Sequence, residues 1–296
     1  MKKILLSSLT ALLLLMVVGC SSDSSSEASA DDQNTEGNET KQTITFGVTP
    51  WTSTVPPTEI ARIIIEDMGY KVEETQADAG SVYVGLSRGD IDVFMDSWLP
   101  AHNVYLEKYS ENISDTAVSY DNADAGWVVP KYMEDVNSIG DLKGKEDSFN
   151  NEMYAIEEGA SATKIIDEAI KGYGLDMKQI NSSEGGMMAQ AMRKMQSKEP
   201  VVFYGWRPHT MFNKFDIKML KDPKGFFDTA SVHVITNNQL KEDAPDAYKF
   251  LSNWSIPIDD VETMIGKIED EGMKPEKVAQ NWIDNNQDKV NKMLGK

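Results

Sequence analysis

Thr43-Ile-Thr-Phe-Gly-Val-Thr-Pro-Trp51 alternates polar and apolar side chains as a strand does, then breaks at Thr49-Pro50-Trp51. The residues beyond Trp51 keep to one plan. Thr58 to Met68 places its isoleucines at helical spacing, and Gly69 stands where a helix stops. Tyr70 to Thr75 reads as a second strand and Val82 to Ser87 as a short helix ending near Gly89. Ile91-Asp-Val-Phe-Met95 reads as a third strand. Strand, helix, strand, helix, strand predicts a parallel α/β sheet, with its ligand rim at the carboxyl ends of the strands.

The second half repeats the logic with different residues. Gly126-Trp-Val-Val129 is a buried-type strand, Ser138 to Lys143 a short helix and Met153-Tyr-Ala-Ile156 another strand. An amphipathic run from Gly159 to Tyr173 comes next, and Gly185-Gly186 precede a helix rich in methionine, which fits core packing better than a cofactor box. Val201-Val-Phe-Tyr204 and Val232-His-Val-Ile235 are strands, and the tail is helical. The pattern predicts two α/β lobes, each a mainly parallel sheet flanked by helices, with the second inserted in the first. Lobe 1 is expected over 43–130 and 232–296 and lobe 2 over 131–231, with the crossovers near Val129-Pro130 and Ser231-Val232. A small-molecule site belongs in the cleft between them.

The N-terminus sets the compartment. Lys2 and Lys3 precede an almost unbroken apolar stretch from Ile4 to Val18, of signal-peptide length and short for a membrane span. Cys20 is the single cysteine, so no disulfide framework exists to be read. Val17-Val-Gly-Cys20 resembles the lipobox of bacterial lipoproteins, which implies a signal peptide over 1–19 and lipidation of Cys20. Residues 21 to about 41 contain no large apolar side chain and read as a disordered tether within a 20–42 linker. About 20 flexible residues span roughly 25 Å, which holds a domain just off a membrane. The formal net charge of −19 disfavours nucleic acid and anionic headgroups as partners. It suits either a high-salt habitat or an ordinary solubilising surface.

Catalysis is not signalled. There is no Gly-x-Ser-x-Gly elbow, P-loop or Gly-x-Gly-x-x-Gly, and the three histidines, 102, 209 and 233, do not lie at metal-site spacing. No cofactor is expected. Tryptophan on the loops just after strands is what stands out: Trp51 after Thr-Pro, Trp98 in Asp96-Ser-Trp-Leu-Pro100, and Trp206 in Tyr204-Gly-Trp-Arg-Pro208. Any one of them could be a loop plug, because indole is mostly a packing residue. Three together suggest an aromatic cage. A quaternary ammonium donates no conventional hydrogen bond, so π faces and methyl packing must hold it, and indole has the strongest π face. Trp127, Trp254 and Trp282 are assigned to the core. Gly159-Ala160-Ser161 precedes a helix, and amides at such a terminus suit an anion, although a simple capping turn reads the same way.

Gly47-Val-Thr-Pro-Trp51, Gly89-Asp-Ile-Asp-Val-Phe-Met-Asp-Ser-Trp-Leu-Pro100, Gly126-Trp-Val-Val-Pro130 and Gly205-Trp-Arg-Pro-His209 together resemble the glycine betaine-binding subunits of osmoregulatory ABC importers. The resemblance runs from Thr43 to nearly the end. It implies a type II periplasmic-binding-protein fold and a prism of Trp51, Trp98 and Trp206 around a trimethylammonium head. It further implies that two consecutive amides, at Gly159 and Ala160, and a histidine hold the ligand carboxylate. His102 is the expected histidine, with His209 as the alternative. The implied partners are glycine betaine and an ABC permease, for a monomer lipid-anchored outside the cytoplasm. Proline betaine, carnitine or choline remain as alternative ligands. A sensor of the same ligand is a further rival, and a lipoprotein enzyme would need a nucleophile that no motif supplies.

Overall fold

In the computed structural model residues 42–296 are described; the expected signal peptide, Cys20 and nearly all of the expected tether lie outside them. Ten strands build two five-stranded sheets. The first contains β1 (Thr43–Val48), β2 (Lys71–Gln76), β3 (Val93–Leu99), β4 (Ile113–Ala123) and β10 (Ala230–Asn237), in the order β2-β1-β3-β10-β4. The second contains β5 (Ala125–Pro130), β6 (Glu152–Ala155), β7 (Lys178–Asn181), β8 (Phe203–Trp206) and β9 (Ile217–Met219), in the order β7-β6-β8-β5-β9. In each sheet a single strand runs against the others: β10 is antiparallel to both neighbours in the first, and β5 in the second. Both sheets are therefore mainly parallel, as the strand–helix alternation predicts.

Helices cover both faces of the first sheet. β3 shows what this demands of sequence: Val93 and Met95 face one apolar cluster and Phe94 the other, so the strand opens on three consecutive apolar residues, as double burial requires. Helix α1 (Val55–Asp67) and the C-terminal helices Ile258–Glu269 and Pro275–Asn285 pack together on one face. Helix α2 (Ala79–Arg88) covers the other. It starts three residues before the expected Val82, because the Asp78 carboxylate caps it by accepting from the Ser81 amide at 3.0 Å. It stops at Gly89, which adopts φ 77°. Helix α1 likewise starts ahead of the expected Thr58, with Pro56 and Pro57 in its first turn, where a missing N–H costs nothing. A short helix, α3 (Asn103–Lys108), links β3 to β4.

The expected first crossover is displaced. β5, read as the end of lobe 1, pairs with β8 and β9 in the second sheet, so the chain changes sheets at Asp124 rather than near Val129-Pro130. The physical reason is β4. This edge strand, Ile-Ser-Asp-Thr-Ala-Val-Ser-Tyr-Asp-Asn-Ala, is half polar because only part of it is covered, and its weak alternation hides it from periodicity. The chain returns at Thr229, before Ala230, within two residues of the expected Ser231-Val232. The two crossings lie side by side, with Thr229 Oγ1 donating to Asp124 Oδ1 at 3.3 Å.

Gly47 fixes how closely α2 lies on the first sheet. A Cβ there would stand 2.5 Å from Val82 Cγ1 and 3.3 Å from Ile91 Cδ1, in a site with no room to yield. Gly47→Ala is expected to lower unfolding stability by about 1–3 kcal/mol, the usual cost of overpacking. Urea titration checks this, and an unchanged midpoint would contradict the close approach.

Candidate functional site

The rim where strands of both sheets end encloses a cavity of about 90 Å³, lined by Trp51, Trp98, Trp206 and His102 together with Tyr204 and Phe227. Trp51 follows β1, while Trp98 is the penultimate residue of β3 and Trp206 the last of β8. The last two are thus strand residues rather than loop residues, and strand pairing fixes their backbones. The three indoles are 7%, 9% and 4% exposed. Two come from the first sheet and one from the second, so the cavity is a cleft feature. Pro100 and Pro208, soon after the two strand indoles, both follow cis peptide bonds. Trp127, Trp254 and Trp282 are buried in the core instead.

A buried carboxylate joins two of these indole-bearing segments. Asp96 is fully buried in β3. Its Oδ1 accepts from the Trp98 indole N–H at 3.1 Å, and its Oδ2 accepts from Ser53 Oγ at 2.9 Å and Thr54 Oγ1 at 2.7 Å. Burial pushes this carboxyl up to about 6, against the opposing pull of those hydroxyl and indole donors. Sequence reasoning misses it. The signal that could have found it is an acidic residue inside the apolar run Val-Phe-Met-Asp, since a buried charge must have partners.

His102 lines the cavity and His209 does not. The His102 ring lies among Tyr83, Phe94 and Tyr105, and burial drives it down to about 3, so it is neutral. Its Nδ1 accepts from the Trp98 backbone N–H at 3.2 Å, which leaves the proton on Nε2 as a donor. His209 is occupied elsewhere. Its Nδ1 accepts from the Met211 amide at 2.9 Å, and its Nε2 donates to Glu184 Oε1 at 3.0 Å.

The expected amide pair is placed differently from its motif reading. Gly159 is not among the lining residues, and the Ala160 N–H is donated to the Glu157 carbonyl at 3.1 Å, in the turn that delivers the chain to helix α4 (Ser161–Tyr173). Ala160, Ser161 and Ala162 do line the cavity. The Thr163 amide donates to the Ala160 carbonyl at 3.1 Å, but the α4 N-cap offers no side-chain acceptor to the Ser161 and Ala162 amides, and Ser161 Oγ is buried without a partner. The chain thus meets the cavity one to three residues beyond the glycine that marks it in the sequence.

A family model described as the substrate binding domain of ABC-type glycine betaine transport systems matches residues 42–285. The chain is similar to the glycine betaine/carnitine transport binding protein GbuC of Listeria monocytogenes, with 39% identity over 150 residues. That match covers 49% of this chain and 50% of the Listeria protein, so the chain spans about half the length of that relative. Among solved structures it is similar to the glycine/betaine/L-proline-binding protein ProX of Borrelia burgdorferi, with TM-score 0.80, 29% identity, and coverage of 86% of this chain and 100% of that one. Lactococcal OpuAC in its closed-liganded conformation with glycine betaine gives TM-score 0.80 and 30% identity over 86% and 100% of the two chains. A choline binding protein in complex with choline gives TM-score 0.80 and 26% identity over 86% and 91%. The architecture is that of the type II periplasmic binding proteins.

Asp96 yields a pH test. A carboxyl held near 6 in the fold and near 3.9 unfolded binds more protons folded than unfolded across that interval. Its contribution to stability is therefore fully present below about pH 4 and lost as pH rises through 6. The stability of the wild type relative to Asp96→Asn is expected to fall between those limits in unfolding titrations. A pH-independent difference would contradict the assignment.

Proposed function

We propose, on the premise that the chain belongs to the family of substrate-binding domains of ABC-type glycine betaine transport systems, that it captures glycine betaine outside the cytoplasm and delivers it to an ABC permease for osmoprotectant uptake. The observation that carries this reading is the meeting of Trp51, Trp98 and Trp206 around one cleft cavity. A trimethylammonium head cannot donate to an oxygen acceptor through a conventional hydrogen bond, whereas a desolvated contact with an indole face contributes about 2 kcal/mol or more. Two or three such contacts supply much of the roughly 8 kcal/mol of micromolar binding.

The ligand carboxylate is assigned to the opposite wall. There the Gly159-Ala160 turn leads into the α4 N-terminus, which presents partial positive charge. Ser161 Oγ, buried without a partner, and the Nε2–H of neutral His102 are the side-chain donors in reach of this assignment. A neutral histidine suits a zwitterion, because it donates without adding a cation beside the trimethylammonium. No step of chemistry on the ligand is needed, and the family is one of transport binding domains rather than of enzymes.

Around this site the two sheets act as lobes of a clamp, one of residues 43–123 and 230–296 and the other of 125–229, joined at Asp124 and Thr229. A ligand touching both lobes favours the closed form by contacts that the open form lacks. The permease then reads the closed shape of a monomer. Residues 1–19 serve as signal peptide, and lipidated Cys20 with its linker tethers the domain to the membrane. Among the described residues no helix is long and apolar enough to cross a membrane.

A second reading, a binder of choline, carnitine or proline betaine, is favoured by the likeness to the choline complex and by a cage that specifies the head more than the tail. Calorimetry with glycine betaine, proline betaine, carnitine, choline and proline separates the two. Glycine betaine is expected to bind most tightly, and no quaternary ammonium binding below about millimolar, roughly 4 kcal/mol, would sink the proposal. Trp98→Ala is expected to lose at least about tenfold in affinity with the fold intact. Unchanged affinity would remove Trp98 from the site.

A further inference from the structure

Two consecutive residues of the loop after β1 reach across the cleft to two carboxylates of the second lobe. The Trp51 indole N–H donates to Glu157 Oε1 at 2.8 Å. Next to it, the Thr52 amide donates to Glu184 Oε2 at 3.0 Å, and Thr52 Oγ1 to Glu184 Oε1 at 2.9 Å. Glu184 is buried and opens helix α5 (Glu184–Gln196), whose N-terminal partial charge attracts a carboxylate. Its Oε1 also accepts from His209 Nε2, and the His209 ring stands edge-on to the Trp206 indole at 5.0 Å. Glu184 therefore joins the neighbour of one cage indole to the neighbour of another, from opposite sides of the cleft.

From this geometry we propose that Glu184, with Glu157, is a closure latch: it holds the Trp51–Thr52 loop against the second lobe and sets how long ligand stays bound. The inference rests on the clamp proposed for the two lobes but concerns the lobes rather than the ligand. Glu157 and Glu184 make these contacts only while the lobes are together. Opening returns both carboxylates and the Thr52 donors to water. The latch thus favours closure independently of the ligand, and it seats the Trp51 indole at the moment of closing. A bias of this kind changes the fraction of protein competent to retain ligand, so it scales every affinity by one factor. Cage residues behave otherwise, because they discriminate between head groups. Glu157 and Glu184 are positioning residues in this account.

The test is Glu184→Gln in the full chain. Three donors converge on Glu184, and glutamine offers one carbonyl oxygen and two unwanted N–H donors. Amide hydrogen exchange at Thr52 without ligand is expected to quicken at least about tenfold in the variant, as loss of bonds to a charged acceptor implies. Stopped-flow tryptophan fluorescence is expected to show the bound lifetime shortened by a similar factor, equally for glycine betaine and proline betaine, with little change in association rate. Unaltered Thr52 exchange and lifetime in a folded variant would overturn the latch. A loss confined to one ligand would also overturn it, by assigning Glu184 to recognition. If Glu184→Gln does not fold, Thr52→Val, which keeps the amide and removes Oγ1, must still shorten the lifetime at least about twofold; no change would overturn the proposal. Should the wild type bind no quaternary ammonium, the proposed ligand fails, while Thr52 exchange still decides the latch.

Discussion

Cation–π attraction works only if the rings stand still, and the hydrogen bond from Trp98 Nε1 to buried Asp96 is the contact on which the proposed cage depends most. An indole face attracts a cation weakly unless it is desolvated and correctly oriented. Asp96 supplies orientation from beneath. The same carboxylate accepts from Ser53 and Thr54, in the turn after Trp51, so it ties two of the three indole-bearing segments together. When ionised it also places negative charge at the N–H edge of the Trp98 ring. Because burial lifts its pKa toward 6, the carboxylate costs stability at neutral pH in order to hold these donors.

The fold puts that carboxylate where it is needed. β3 is covered on both faces, so an acidic residue within it has no route to water and must find donors. Two of the donors, Ser53 and Thr54, come from the turn after β1, the strand beside it. Each lobe repeats one sheet order, and each contributes a strand that ends in, or one residue past, an indole of the proposed cage. The cavity thus forms where two equivalent sheet rims face one another. Cross-cleft contacts from Trp51 and Thr52 join the two rims, and in the proposed clamp they couple closing of the lobes to completion of the cage.

Much of this is legible in the residues, and the remainder fails for identifiable reasons. Trp51, Trp98 and Trp206 reveal themselves because each sits within two residues of a proline where a strand gives out, which is not where a core tryptophan usually falls. The strand–helix alternation of the first hundred residues yields the sheet, since period-2 and period-3.6 patterns are local properties. β4 escapes because a half-covered edge strand carries polar residues on both flanks, and overlooking it displaces the first crossover by five or six residues. Glu157 and Glu184 bear no local mark at all. Their partners lie 106 and 132 positions away, and in an acidic chain with 48 Asp and Glu nothing in sequence singles them out. Gly159-Ala160 marks the helix terminus that meets the cavity, but the turn that positions it consumes the Ala160 amide.

The central claim is that positive charge held by π faces, and not merely a methyl-lined shape, is what the site recognises. Calorimetry comparing glycine betaine with 3,3-dimethylbutanoate tests it directly, because carbon replaces nitrogen in the second compound at nearly constant shape. Loss of two desolvated cation–π contacts predicts binding at least about hundredfold weaker for the carbon isostere. Affinities equal within about threefold would show that the indoles act as an apolar pocket, and the account of the cage would be wrong.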